Sequence, residues 1–339
     1  MDKFQEFLEY LKENDINKAV ITKKETINYF LEKYPPNFSM LIFDSTKDIA
    51  TLQVSKLDFE MAKEYKNKNL DIELYESFES TFNGCDGIED SLSIRFLKFL
   101  KDYKLISKKI EEMRETKTKA ELENIKKAAK ISDNAIEYAT NFALENDNLT
   151  ENQIAAEIEY FMKKNGSIRP SFDTIAISDK KTRLPHGMPS NDIVKNILLM
   201  DIGALYEGYC SDITRTVILD ENIKNYLEIY NIVNSAKKEA EKNLKSGISV
   251  KELDLIAREQ MGEFKEYFIH SLGHGVGVEI HESPAISSKI KEDVILKEGM
   301  VITIEPGIYT DEFGVRIEDL YLVKKNGFEK LSNAKILEY

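Results

Sequence analysis

The stretch from Ile197 to Leu219, ILLMDIGALYEGYCSDITRTVIL, constrains this chain more than any other. An apolar run delivers one carboxylate, Asp201. A turn signal at Tyr206, Glu207 and Gly208 follows, and a second β-prone run brings Asp212 beside Thr214, Thr216 and Val217. The pattern predicts a hairpin with an acid on each arm. An ionised carboxylate in an apolar strand must be paired, hydrogen-bonded or bound to a metal. Two together point to a cation.

A second hairpin repeats the arrangement near the C-terminus. GMVITIEPGIYT carries Glu305 after an apolar run, and GVRIEDLYLV carries Glu318 on the returning strand. A glycine stands two residues after the first acid of each pair, Gly203 and Gly307, and the paired acids lie 11 and 13 positions apart. Between the hairpins, HSLGHGVGVEIHE holds His270, His274 and His281, three of the four histidines in the chain. Four oxygen donors and an imidazole are the ligand set of a paired divalent site. Four converging carboxylates would otherwise repel, and some would take up protons at neutral pH. Two divalent cations balance them and leave room for one hydroxide, whose formation the metals favour. Because oxygen ligands predominate, Mn²⁺ or Co²⁺ is expected, with Fe²⁺ or Zn²⁺ as the alternatives.

Residues two apart on a strand share a face, so Arg316 is expected to point with Glu318, as Thr214 does with Asp212. An arginine there orients the acids or a substrate carboxylate by paired hydrogen bonds, or forms a structural salt bridge. His270 reads either as a pocket residue or as a plain loop residue.

The rest of the chain supplies scaffold. Its 339 residues suffice for two domains. From residue 1 to 114, helical spacing (Phe4, Phe7, Leu8, Leu11) alternates with the short β-rich runs KAVIT, SMLIFD, IATLQV and LDIELY, which predicts a smaller α/β domain. A charged connector, KKIEEMRETKTKAE, leads into a catalytic domain over 115–339. Thr118 with Glu121, Thr150 with Gln153 and Ser249 with Glu252 mark three helix starts there. A net charge of −13 disfavours nucleic acid and anionic membranes as partners. The N-terminal MDKFQEFLEYLKEND reads as an acidic amphipathic helix rather than a secretory signal, and no apolar run is long enough to cross a bilayer. With only Cys85 and Cys210 present, a cytoplasmic, reducing location is expected.

DIGALYEGYCSDITRT, GHGVGVEIHE, TIEPGIY and RIED, in that order, resemble the metal-binding segments of the pita-bread metallopeptidases (family M24), most closely the Xaa-Pro dipeptidase (prolidase) and aminopeptidase P branch. The likeness runs from about residue 113 to the end and is weaker in the N-terminal domain. It implies an α+β protein with a C-terminal pita-bread catalytic domain that hydrolyses the Xaa-Pro bond of dipeptides or short peptides through a metal-bridging hydroxide. It further implies that Asp201 chelates one metal, that Asp212 and Glu318 bridge two, and that His274 and Glu305 complete the other. Glu305 would also move protons, His186 in LPHGMPS would lie over the substrate, and His281 would steady the tetrahedral intermediate. Arg316 would support the surrounding hydrogen bonds, and the chain would form a homodimer.

Two departures bear on specificity. Where prolidases commonly carry a basic residue after the HE pair, ESPAISSKIK has Ala285, with Lys289 and Lys291 further on. ETINYFLEKYPP also replaces the usual glycine-containing segment of the N-terminal domain. Aminopeptidase P, acting on longer peptides, therefore stays beside the dipeptidase as an expectation. Methionine aminopeptidase does without the N-terminal domain, creatinase does without the metals, and a non-enzymatic binding protein on the same fold would usually have lost ligands.

Overall fold

A computed structural model describes residues 2–65, 67–219 and 224–336. The chain divides into two compact units, Met1–Arg114 and Glu115–Tyr339.

The first unit is built on one six-stranded sheet. Its elements are α1 (Lys3–Glu13), β1 (Lys18–Ile21), α2 (Lys24–Leu31), β2 (Ser39–Asp44), β3 (Ile49–Val54), α3 (Phe59–Ala62), β4 (Leu70–Leu74), α4 (Phe78–Phe82), β5 (Gly87–Ile88) and β6 (Lys104–Leu105). The strands lie in the order β4-β3-β2-β1-β5-β6. Pairing is antiparallel among β1, β2 and β3 and parallel at both edges. Helix α1 forms because its apolar residues recur at the spacing that lines one face; Phe4, Phe7, Leu8 and Leu11 are all buried. Phe7 and Phe30 meet Phe43 of β2 at ring separations of 4.8 and 4.9 Å. Each such side chain contributes about 1.5–3 kcal/mol by leaving water. The charged connector is largely helical, as α5 (Ser107–Glu115), because its two apolar residues Ile110 and Met113 are three apart and both buried.

The second unit contains α6 (Lys119–Glu145), α7 (Glu151–Lys164), β7 (Ile175–Ser178), β8 (Ile197–Ile202), β9 (Leu205–Tyr206), β10 (Tyr209–Cys210), β11 (Ile213–Ile218), α8 (Lys224–Asn243) and α9 (Val250–Gln260). Then come β12 (Gly273–Gly275), β13 (Glu282–Ile286), β14 (Val301–Ile304), β15 (Gly307–Tyr309), β16 (Gly314–Arg316), β17 (Asp319–Lys324) and β18 (Gly327–Lys330). Reciprocal capping boxes at Thr118/Glu121 and Thr150/Gln153 start α6 and α7. At α9 only half the box forms: Ser249 accepts from the Glu252 amide. Strands β11-β8-β7 form one sheet and β13-β12-β14-β17-β18 another. Helices α6 and α7 close an apolar core over the first, through Ile136, Ile154, Ile158 and Met200; α8 and α9 close another over the second, through Val233, Leu253, Ile302 and Tyr321.

Each acid-bearing hairpin is a long strand pair with a second short pair beyond its end. In the first, β9 and β10 turn at Glu207 and Gly208, both at positive φ (48° and 80°), the backbone of a tight hairpin loop. The similar spacing of the acids conceals a difference in register. Asp201 pairs with Thr214, so Asp212 falls two positions out of step with its partner acid. In the second hairpin Ile304 pairs with Asp319 and Gly307 with Arg316, so Glu305 and Glu318 flank one rung. The returning arms then cross. The Glu318 amide donates to the Thr214 carbonyl at 3.1 Å, and Thr216 Oγ1 both donates to the Arg316 carbonyl (2.9 Å) and accepts from its amide (3.2 Å).

The glycines on either side of His274 admit neighbouring backbone. A Cβ at Gly273 would lie 2.1 Å from the Thr303 carbonyl oxygen, and one at Gly275 would lie 2.3 Å from that of Ser283. Gly273→Ala is therefore expected to cost about 1–3 kcal/mol by forcing β12 away from β14. Thermal unfolding of the variant, with a lowered Tm, checks it.

Candidate metal centre

The acids meet where strands end. Asp201 lies at the end of β8 and Asp212 just before β11, while Glu305 follows β14 and Glu318 precedes β17; His274 is the middle residue of β12. One ligand atom each from Asp212, His274 and Glu318 lie within 4.8 Å of one another. His274 Nε2 is 3.5 Å from Asp212 Oδ2 and 3.4 Å from Glu305 Oε1. Asp201 joins through Arg316, whose Nη2 donates to its Oδ2 at 2.6 Å. Arg316 Nε also donates to Thr214 Oγ1 (3.2 Å), which donates to Glu318 Oε2 (2.8 Å). The arginine and the threonine thus link an acid of one hairpin to an acid of the other.

Three features show that this donor set fits cations. The Nδ1 of His274 lies 3.0 Å from the Gly275 carbonyl, which can only accept, so Nδ1 carries a proton, and in the neutral ring that ligates metals Nε2 presents a lone pair to two carboxylates. Acceptors facing acceptors call for a positive charge between them. Among the described residues, buried Asp201 Oδ1 and Asp212 Oδ1 have no hydrogen-bond partner, a costly arrangement that a bound metal relieves. Burial and mutual repulsion push the acids upward: burial, then Asp201 and Glu305, raise Asp212, and burial, then Asp212 and Glu305, raise Glu318. Burial lifts Glu305 to about 7, against the pull of His274 and Arg316.

Of the other singled-out histidines, His281 sits at the cluster, its ring 4.3 Å from that of His274 at an interplanar angle of 65°. Its own ring is exposed, and burial of its surroundings and the neighbouring His274 lower its pKa. His186 is exposed on a loop between β7 and β8, and no hydrogen bond joins its ring to the cluster among the described residues. The loop is fixed at both ends by Glu151, a fully buried acid at the start of α7. Glu151 accepts from the amides of Ser178 (2.7 Å) and Ser190 (3.0 Å) and from Lys181 Nζ (2.5 Å). In the middle of the loop the Pro185 carbonyl accepts from both Arg316 Nη atoms at 3.3 Å.

Two contributors escaped sequence reasoning. Tyr309 Oη accepts from Arg316 Nη1 (2.7 Å) and lies 2.8 Å from His270 Nε2. Because His270 Nδ1 is committed to the Ser271 carbonyl (2.8 Å), Nε2 must accept from the tyrosine. Burial, then Arg316, lower His270 to about 3, and burial holds Tyr309 at about 12, so both are neutral. Tyr309 stands in the EPGIY string, but a tyrosine on a strand reads as core without its partners. Glu151 was hidden because an acid in the first turn of a helix is ordinary.

The raised carboxyls give a pH dependence of definite sign. Their folded-state pKa values exceed the unfolded ones, so their stabilising contribution is complete below the ordinary carboxylate range and is lost as pH rises through about 7. Metal-free protein is expected to lose several degrees of Tm between about pH 5 and pH 8, and divalent cation to abolish most of that loss, read by calorimetry with and without metal.

Residues 123–325 match the Metallopeptidase family M24. Over 344 aligned residues, covering all of this chain and 97% of the relative, the sequence is 57% identical to an uncharacterized peptidase of Methanocaldococcus jannaschii. It is 41% identical to an Xaa-Pro dipeptidase of Pyrococcus furiosus, covering 98% of each chain. The crystal structure of the prolidase from Pyrococcus horikoshii superposes with a TM-score of 0.92 at 37% identity, covering 99% of both chains. With the acids and the histidine converging as described, the chain belongs to metallopeptidase family M24, in its prolidase branch.

Proposed function

We propose that this protein is an Xaa-Pro dipeptidase that hydrolyses the bond between the first residue and proline, using two divalent cations, Mn²⁺ or Co²⁺. The convergence of Asp212, His274 and Glu318 on one point, with buried carboxylate oxygens left unpartnered beside it, carries the proposal. Asp201, Asp212 and Glu318 would hold one cation, and Asp212, Glu318, His274 and Glu305 the other. When bound, such a pair supplies an activated water at neutral pH and polarises the scissile carbonyl.

The remaining work falls to side chains. Glu305, a carboxylate at the cluster, would take a proton from the attacking water and return it to the departing nitrogen. That second transfer is essential for proline, whose amide nitrogen carries no hydrogen. His281 is neutral at working pH and offers one N–H to the oxyanion as charge develops. His186, on its stapled loop, would cover the substrate, and Arg316 keeps Asp201 and Thr214 aligned. Supporting the substrate class is the full-length similarity to a relative that is an Xaa-Pro dipeptidase.

One observation favours longer peptides as a second reading. Ala285 pairs directly with His274 in the β12/β13 ladder and is exposed, so that position offers no cation for the free carboxylate of a dipeptide. We also infer a homodimer and a cytoplasmic location; both cysteines are free and buried, and none of the described helices is long and apolar enough to cross a membrane.

Leu-Pro, Gly-Pro, an Xaa-Pro tripeptide and a Met-Ala peptide, assayed under defined metal, test the proposal. Leu-Pro is expected to be fastest, with activity falling to background on chelation and returning with Mn²⁺ or Co²⁺. A faster tripeptide would move the assignment to an aminopeptidase, and activity that survives thorough chelation would sink both.

A further inference from the structure

Outside the metal cluster, the chain buries an ion pair that the chemistry above does not use. Lys117 Nζ lies 2.8 Å from Glu282 Oε2, and the two side chains are only 2% and 4% exposed. Lys117 belongs to the segment entering α6; its amide is held by the Gly299 carbonyl at 2.9 Å. Glu282 follows His281 directly in sequence. Its other oxygen, Oε1, accepts from the Glu279 amide at 3.0 Å, so one carboxylate grips both its own loop and a lysine 165 positions away.

The loop is shaped around that carboxylate. A Cβ at Gly277 would stand 2.5 Å from Glu282 Oε2, so only glycine leaves room for the acid. Backbone bonds from Gly277 to the Glu279 carbonyl (3.0 Å) and from Cys210 to the Gly277 carbonyl (2.7 Å) close the turn. His281 leaves the end of this turn with its ring exposed, yet 4.3 Å from the ring of His274. An exposed imidazole has several rotamers open to it, and the direction of its Cα–Cβ bond is set by its own backbone, whose C-terminal side is anchored through Glu282.

We propose that Lys117 and Glu282 are positioning residues that fix the His281 ring against His274. A buried ion pair seldom stabilises a fold more than a well-packed apolar pair would, because both charges must be stripped of water. What the charged pair supplies is direction: Glu282 has one low-energy place, between the Glu279 amide and the lysine, and it carries the backbone of His281 with it. The proposal rests on His281 being the group that meets the reacting carbonyl, and the test below separates the two ideas.

The full chain, loaded with diamagnetic Zn²⁺ and labelled at histidine Cε1, has four histidines and hence four ¹³C–¹H lines. In Glu282→Gln and in Lys117→Met the His281 line should shift and broaden while those of His186 and His270 stay, with bound metal unchanged. With the catalytic metal, kcat should fall about 10–100-fold with KM little altered, the loss usual for partners that orient an active group. Lys117→Arg should restore the His281 line. Should single variants unfold, Lys117→Met combined with Glu282→Leu removes both charges at once; Tm should then recover while the His281 line remains displaced. An unmoved His281 line in Glu282→Gln or in the double variant overturns the proposal, as does a shift of all four lines together. His281→Ala, assayed alongside, judges the other idea: undiminished kcat there refutes the role of His281 and leaves the NMR lines to decide the positioning.

Discussion

Four carboxylates that must share one small, water-poor space set the terms for the rest of the catalytic unit. Asp201, Asp212, Glu305 and Glu318 repel one another, and burial disfavours the ionised forms of Asp212, Glu305 and Glu318 further. A chain can hold such a cluster only if the backbone is rigid enough to prevent it from spreading, or if cations neutralise it. Here the hairpins supply rigidity. Each acid lies at the end of a strand rather than in its middle, so the ladder hydrogen bonds remain intact up to the residue that carries the charge. Among the described residues, Arg316 is the one arginine or lysine committed to the cluster, and it spans Asp201 and, through Thr214, Glu318.

Behind the cluster, a second set of charges ties the two hairpins together. Arg215, on the opposite face of β11 from Thr214, donates to the Glu318 carbonyl and pairs with Asp319 at 2.6 Å. Lys237 of α8 and Lys330 of β18 also reach Asp319 at 2.6 Å, and these three cations hold its carboxyl well below the usual carboxylate range despite complete burial. Adjacent residues, Glu318 and Asp319, are therefore driven in opposite directions by their surroundings: one meets like charges and its pKa rises, the other meets opposite charges and its pKa falls. Alternation along a strand is what separates the two environments.

Sequence reasoning reached the cluster because its ingredients are locally marked. An apolar run ending in an acid, a glycine two residues on and a histidine between glycines can each be read from a dozen residues. Strand ends, capping boxes at Thr118 and Thr150, and the turn at Glu207 and Gly208 were legible for the same reason. The register was not. Spacings of 11 and 13 suggested matched pairs, yet Asp201 faces Thr214 whereas Glu305 and Glu318 flank one rung. Ladder register depends on which carbonyls meet across the strands: both hairpins bring the chain back opposite the first acid after 13 positions, and Asp212 stands two residues earlier on its returning arm, which leaves no compositional trace.

The amino-acid sequence by itself determined the ligand chemistry, because oxygen and imidazole donors are a property of residue type, and it determined the local elements, because helical and strand periods are properties of neighbouring residues. Only the tertiary structure decided which partners complete each group. Tyr309 faces His270 across 39 positions, Lys117 faces Glu282 across 165, and Glu151 accepts from Ser178 and Ser190. Such pairings form between segments that meet only once both cores have closed, and a hydrogen bond, acting over about 3 Å, leaves no periodic mark on the chain that makes it.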